Sequence, residues 1–222
     1  MEGIKKALAA ITPRQVFAVI IGNIILGFGA ALMRVAGMGN DPFLASGMVI
    51  SETLSVGLGN YQAVLNIFLI IVQLCVGRKY LGLGTIVNMF GLGYVIQFSL
   101  WFLQTKVGLT DSQPLWVKIL LLIVSMAVLS FGLSMYQCSK LGVAPYDYLS
   151  LGMTDHLPTS YFFNRIVTDC TCVAVILGVV ISGAASLADS HLGVATILTA
   201  FCLGPFVSFM NRINNKWIYP EK

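Results

Sequence analysis

Charge is scarce in this sequence. Thirteen Lys and Arg and nine Asp and Glu make up 10% of its 222 residues, where soluble domains carry about 25%. That excludes a soluble enzyme or a nucleic-acid-binding module, and the net charge of +4 is no basic footprint. Histidine is scarcer still. His156 and His191 stand far apart, no HExxH occurs and no Cys/His cluster has ligand spacing, so no metal site is expected. A phosphate-cradling glycine loop and a nucleophile with an adjacent base are also missing, so the expectation is a protein that is not an enzyme and uses no cofactor. The cysteines are odd in number (Cys75, Cys138, Cys170, Cys172 and Cys202) and lie in or beside apolar runs. They read as reduced packing residues rather than a disulfide framework. The N-terminus lacks a cleavage-site pattern, since Lys5 and Lys6 lead straight into a long span.

What fills the chain instead is apolar. Hydrophobic residues make up 57% and mean hydropathy is +0.87, so this is an all-α integral membrane protein with length for about six spans of roughly 20 residues. The spans are expected near 15–36, 61–77, 81–103, 115–138, 160–182 and 192–211. Thr12-Pro13-Arg14-Gln15 reads as a capping box with proline at the first helical position, and the last span should kink or break near Pro205. Two further stretches, 42–54 and 145–157, begin at proline and run for about 13 residues, roughly 20 Å of helix against roughly 30 Å of hydrocarbon. They are too short to cross and read as half-helices that enter the membrane and return.

Those two stretches are related. Met38–Leu54 and Leu141–Pro158 share a Gly-x-x-Pro-aromatic start and a hydroxyl–acid end at a constant offset of 103, which joins Gly39 to Gly142, Pro42 to Pro145, Phe43 to Tyr146 and Glu52 to Asp155. A second offset of 111 joins Gly82 to Gly193, Thr85 to Thr196 and Gly93 to Gly204. Fixed-period similarity marks a repeated architecture, so residues 1–104 and 115–222 are read as two homologous halves joined by a connector at 105–114. Three spans per half is an odd number, so the halves should insert in opposite orientations as inverted repeats. With both termini cytoplasmic, Lys5, Lys6, Arg14, Arg78, Lys79, Lys140, Arg165, Arg212, Lys216 and Lys222 fall inside and Arg34, Lys106 and Lys118 outside, as the positive-inside rule favours. Trp101, Trp116 and Trp217 fall at span ends, as an aromatic belt would.

Few residues are left to carry chemistry. Asp169 lies about nine residues into the fifth span, where an ionised carboxylate is costly and points to function. Its repeat partner, Asn66, is expected to face it across the pseudo-two-fold axis; the plainer alternative pairs Asp169 with Arg165 one turn earlier. Asp41 and Asp147 sit at the half-helix starts, where caps and dipole neutralisation are the simple explanation. A half-helix N-terminus already holding a carboxylate disfavours an anion and suits a cationic, amine or zwitterionic ligand. Glu52 and Asp155, at the opposite ends, oppose the helix dipole, need a cation nearby and are candidates for gating. Pro42 and Pro145 set the half-helix starts, while Gly39 and Gly142 permit close approach of the chain to a ligand. Asn88, beside Gly84 and Gly91, is a candidate cavity liner, and Asn23, Gln73, Gln97 and Gln137 are read as interhelical hydrogen-bonding groups.

The two Gly-x-x-Pro-aromatic motifs, LGVAPYDYLSLG and MGNDPFLASG, with the later Leu-Gly/Gly-Thr segment, resemble the YczE/YyaS/YitT family of bacterial membrane proteins over about residues 15–211, the YczE branch most of all. Gly142, Pro145, Tyr146 and Asp147 match the family's LGxxPWD-like pattern, with Tyr146 in place of the commoner Trp. In the first motif Asp41 precedes the proline and no acid follows at Leu44. The resemblance implies a bacterial cytoplasmic-membrane protein, of a kind commonly read as a transporter. The sequence therefore reads as a small secondary transporter or permease with a midplane site between its halves, taking a small metabolite. The alternative is a non-transporting accessory or substrate-capture subunit of a larger complex. Besides the bilayer and a small-molecule substrate, glycine-rich helix faces permit a homodimer or a protein partner, and no nucleic acid is expected.

Overall fold

The structure, a computed structural model, describes residues 11–110, 113–187 and 190–219. Within them lie eight α-helices: α1 (Pro13–Ala36), α2 (Pro42–Thr53), α3 (Leu58–Val76), α4 (Leu83–Thr105), α5 (Leu115–Cys138), α6 (Pro145–His156), α7 (Tyr161–Ile181) and α8 (Val194–Ile218), with a 3₁₀ turn at Arg78–Tyr80. Six of these, all but α2 and α6, are long and apolar enough to cross a membrane. The 12 residues of α2 and of α6 reach about 18 Å and cannot. Lys5, Lys6 and Lys222 of the basic count lie outside the described residues.

Local chemistry accounts for the helix ends. The Thr12–Gln15 capping box closes on α1, which Pro13 opens and Gly37 ends in the left-handed region at φ 61°. Asp41 caps α2 by accepting the N–H groups of Phe43 (3.1 Å) and Leu44 (3.2 Å) through Oδ1. α8 runs unbroken through Pro205 to Ile218, seven residues past the expected end at 211. Its last turns, Asn211–Lys216, are polar and escaped a hydropathy reading, but Asn214 is anchored to Ser134 of α5 by a 3.0 Å hydrogen bond.

Helices α1 and α5 form the centre and pack most extensively on one another. Glycine allows this approach: a Cβ on Gly22 would lie 2.7 Å from the Tyr136 nitrogen, and one on Gly29 would lie 2.7 Å from that of Leu129. α4 packs on the outside of α1, and α8 on the outside of α5. The short helices fill the space on the other side, each packing against both α3 and α7. Two joints recur at the sequence offsets. Ala195 N–H donates to the Met38 carbonyl at 2.9 Å, and Gly84 N–H donates to that of Leu141 at 2.8 Å. At these joints Gly39 and Gly142 take φ of 111° and 106°, and a Cβ there would come within 2.8 Å of Gly193 Cα and 2.5 Å of Gly82 N. Both the conformation and the space demand glycine.

Candidate functional site: a buried Asp–Arg–Asp cluster where the short helices meet

The starts of α2 and α6 approach each other through the aromatic residues that follow their prolines. Phe43 and Tyr146, related by the 103 offset, stack with ring centroids 4.2 Å apart. Around this stack gathers the charged cluster of the interior. Arg165, on α7, is 5% exposed, Asp147 6% and Asp169 1%. Arg165 donates to Asp147 Oδ1 from an η nitrogen at 2.6 Å and to Asp169 Oδ2 from Nε at 3.1 Å. The Tyr136 hydroxyl donates to the other oxygen of Asp147, and that of Tyr146 to the other oxygen of Asp169. The guanidinium lies 4.9 Å from the centre of the Tyr146 ring, within cation–π range. All four carboxylate oxygens of the two aspartates are thus engaged. Such complete pairing is what makes burial of these charges tolerable.

Asp169 and Asp147 are therefore brought together, through Arg165. The pairing of Asp169 with Arg165 at i, i+4 is the plainer of the two expectations. Asn66 does not face Asp169 as expected: it lies half-buried on α3, separated from α7 by the short helices that pack between them. Asp147 is not a cap. It occupies the third position of α6, whose N-cap is Ala144, and its carboxylate turns to Tyr136 and Arg165. Asp41 is the cap it was read as, and is near enough to interact electrostatically with Asp169 and Arg165. Its second oxygen makes no hydrogen bond among the described residues. Pro42 and Pro145 begin α2 and α6. Asn88 is not beside the cluster but on the α4–α1 interface, donating to Asn23 at 2.8 Å while Asn23 donates to Val19 O. It ties two helices together.

Each acid at the far end of a short helix meets a nitrogen of the other half, and for Asp155 this is the cation that the helix dipole calls for. Asp155 meets Lys79 Nζ at 2.9 Å and accepts from the Tyr80 hydroxyl at 3.2 Å. Its hydrogen bond to Lys79 holds the carboxyl below its usual range, and the same bond raises Lys79. Glu52 meets His191 Nε2 at 2.9 Å. Tyr80 and His191 are themselves related by the 111 offset, so each acid reaches across to the corresponding loop of the other half.

The sequence sets Arg165 one turn before Asp169, but its second partner, Asp147, and the parts played by Tyr136 and Tyr146 are not legible in it. Tyr136 and Tyr146 carried only their hydroxyls as a hint. In the first half the corresponding residues are Gln62, Met33 and Phe43, and Asp147 and Asp169 correspond to Leu44 and Asn66. The charged cluster belongs to the second half alone. Among the described residues no group of His, Cys, Asp and Glu has the makings of a metal site.

No solved structure matches the chain. The uncharacterised protein YyaS of Bacillus subtilis is 24% identical over 184 residues, covering 83% of this chain and 85% of the relative. This agrees with the wider family expected from the motifs but does not single out the YczE branch. Residues 13–212 match the model of a family of unknown function, DUF6198, and that span takes in five of the long helices, both short ones and α8 up to its last turns. The chain belongs to the DUF6198 family.

Proposed function

We propose that this protein is a small secondary transporter or permease of the bacterial cytoplasmic membrane, built as two inverted repeats of three spans and one half-helix, with both termini cytoplasmic. The observation that carries the reading is the Asp147–Arg165–Asp169 cluster, buried where the two half-helices begin. Ionisable groups at such depth are costly and are kept for function, and discontinuous helices meeting between repeats are where secondary transporters bind substrate.

The charge count favours a cationic or zwitterionic ligand. With Asp41, three carboxylates surround one guanidinium, a net charge of −2 when all are ionised. Asp169 and Asp147 have no free oxygen, so a cation reaches them only by displacing Arg165. Asp41, with its free oxygen, is the first point of contact. Arg165 serves as a resident cation that keeps the empty site neutral enough to stay buried. The Asp155–Lys79 and Glu52–His191 pairs lie on opposite membrane faces in this topology and act as its gates.

A thermal-shift screen of the purified protein against amines, amino acids and organic anions tests this, repeated with Asp41→Asn and Asp169→Asn. Ligand at a hundredfold over its Kd stabilises the folded state by about 2.7 kcal/mol. The expected hit is cationic or zwitterionic and is lost in both variants. An anionic hit that survives both substitutions refutes the site.

A further inference from the structure

The two halves do not close equally. In the second half α7 packs directly on α8, and a Cβ on Gly204 would lie 2.9 Å from the Phe162 carbonyl oxygen and 3.3 Å from Arg165 Cβ. The helix that carries Arg165 is thereby locked backbone to backbone against its neighbour. The equivalents in the first half are Gly93 on α4, by the offset of 111, and Gly59 and Gln62 on α3, by the offset of 103. There α3 stands apart from α4, and an added Cβ at Gly59 or Gly93 would meet nothing within 4 Å. Burial follows the same division. In their most apolar stretches α7 and α8 are 28% and 39% buried, α3 and α4 only 11% and 17%, while α1 and α5 are equal at 56%.

We infer that the structure is open on the side that carries Glu52, and that α3 closes onto α4 through Gly59 and Gly93 as α7 is already closed onto α8 through Gly204. The inference rests on the transporter reading above and supplies its second state. The opposite end of α3 is pinned, since Gly77 lies directly against the Tyr148 ring of α6. α4 is held along α1, where Gly27 lies against Val95. A swing of α3 about its Gly77 end therefore carries Gly57 and Gly59 the furthest. Two facing glycines allow helices to approach as closely as they can in a membrane.

The connection is long enough. In the second half Phe162 lies 19 residues from the end of α7, and Gly204 lies 10 from the start of α8. At 1.5 Å per residue the two ends are offset by about 13 Å. The six residues Gly77–Gly82 joining α3 to α4 span up to about 23 Å when extended. Closure would bring Gln62 into the place relative to α4 that Arg165 holds relative to α8, and would cover the Asp41 side of the cluster.

Disulfide trapping tests the closure. Gly59→Cys and Gly93→Cys are introduced together into the full chain with its five native cysteines replaced by Ser, and membrane vesicles are oxidised with copper phenanthroline. The expected result is loss of both maleimide-reactive thiols at monomer mass, while the control pair Gly59→Cys with Tyr94→Cys keeps both. Thiols that stay reactive to maleimide without forming a disulfide overturn the closure. A cross-link found only at doubled mass also overturns it and assigns the gap to a second copy of the chain. Loss of the disulfide result with a ligand hit intact refutes the gate alone, whereas a disulfide with no ligand dependence of any kind refutes the transporter reading alone.

Discussion

Replacing Arg165 with Met removes the only cation among the described residues that touches Asp147 and Asp169, while retaining much of the side chain's length. Both carboxylates are more than 90% buried and each keeps one tyrosine hydroxyl, so two buried charges lose their compensation at once. Breaking a buried ion pair by removing one partner costs about 3–5 kcal/mol. At about 2–4 °C per kcal/mol for a chain of this size, the melting temperature of the purified protein should fall by about 6–20 °C. The triple variant Arg165→Met/Asp147→Asn/Asp169→Asn discriminates between lost charge balance and lost packing. It keeps the acceptors for Tyr136 and Tyr146 but removes both charges, and should recover most of the loss. Thermal unfolding in detergent, followed by intrinsic fluorescence, reads both variants. A single variant that melts within about 2 °C of the parent, or a triple variant no better than the single, refutes the account of the cluster as a charge-balanced network.

Tyr146→Phe preserves the ring stacked on Phe43 and removes the donor to Asp169; a hydrogen bond to a charged group contributes about 1.5–3 kcal/mol, and that loss should appear as a lower melting temperature. Gly29→Ala sets a Cβ 2.7 Å from the Leu129 nitrogen and should destabilise by about 1–3 kcal/mol or more through overpacking, whereas Gly93→Ala, in open space, should be neutral or stabilising by up to about 1 kcal/mol from helix propensity; the pair is read by side-by-side melts. Asp155 has a depressed pKa in the folded protein, so its bond to Lys79 adds stability above the unfolded carboxylate value of about 3.9, which is lost as pH falls through the lower folded value. Lys79→Met should therefore be less stable than the parent at neutral pH, and the difference should vanish in melts at the acidic end of the range.

The sequence determined what depends on near neighbours along the chain. Hydropathy runs set five of the long helices to within a few residues and the start of the sixth, proline and small-residue punctuation set two helices too short to span, and Asp41 was recognisable as a cap because its partners are two and three residues away. The dipole argument called for a cation near Glu52 and Asp155; Asp155 finds one in Lys79, 76 residues away, while Glu52 meets a histidine, His191, 139 residues away, and neither partner is named by the local sequence. The offset of 103 set Gly39 and Gly142 in equivalent places, and each has positive φ in its own joint, but they lie against Gly193 and Gly82 of the chain rather than at the ligand approach expected of them.

Only the tertiary structure decided which faces meet. Asn66 and Asp169 correspond in sequence, yet the short helices pack between them. Asn88 looked like a cavity liner until α4 settled on α1 and gave it Asn23. Arg165, Tyr136, Asp147 and Asp169 come from three helices, and nothing local to any of them says that four carboxylate oxygens will be shared out among one guanidinium and two hydroxyls. The same holds for the unequal closure of the halves: Gly93 and Gly204 are equivalent in sequence but differ in what stands opposite them. Periodicity records which side of a helix is apolar, whereas partner and separation are set by the packing of all the helices together.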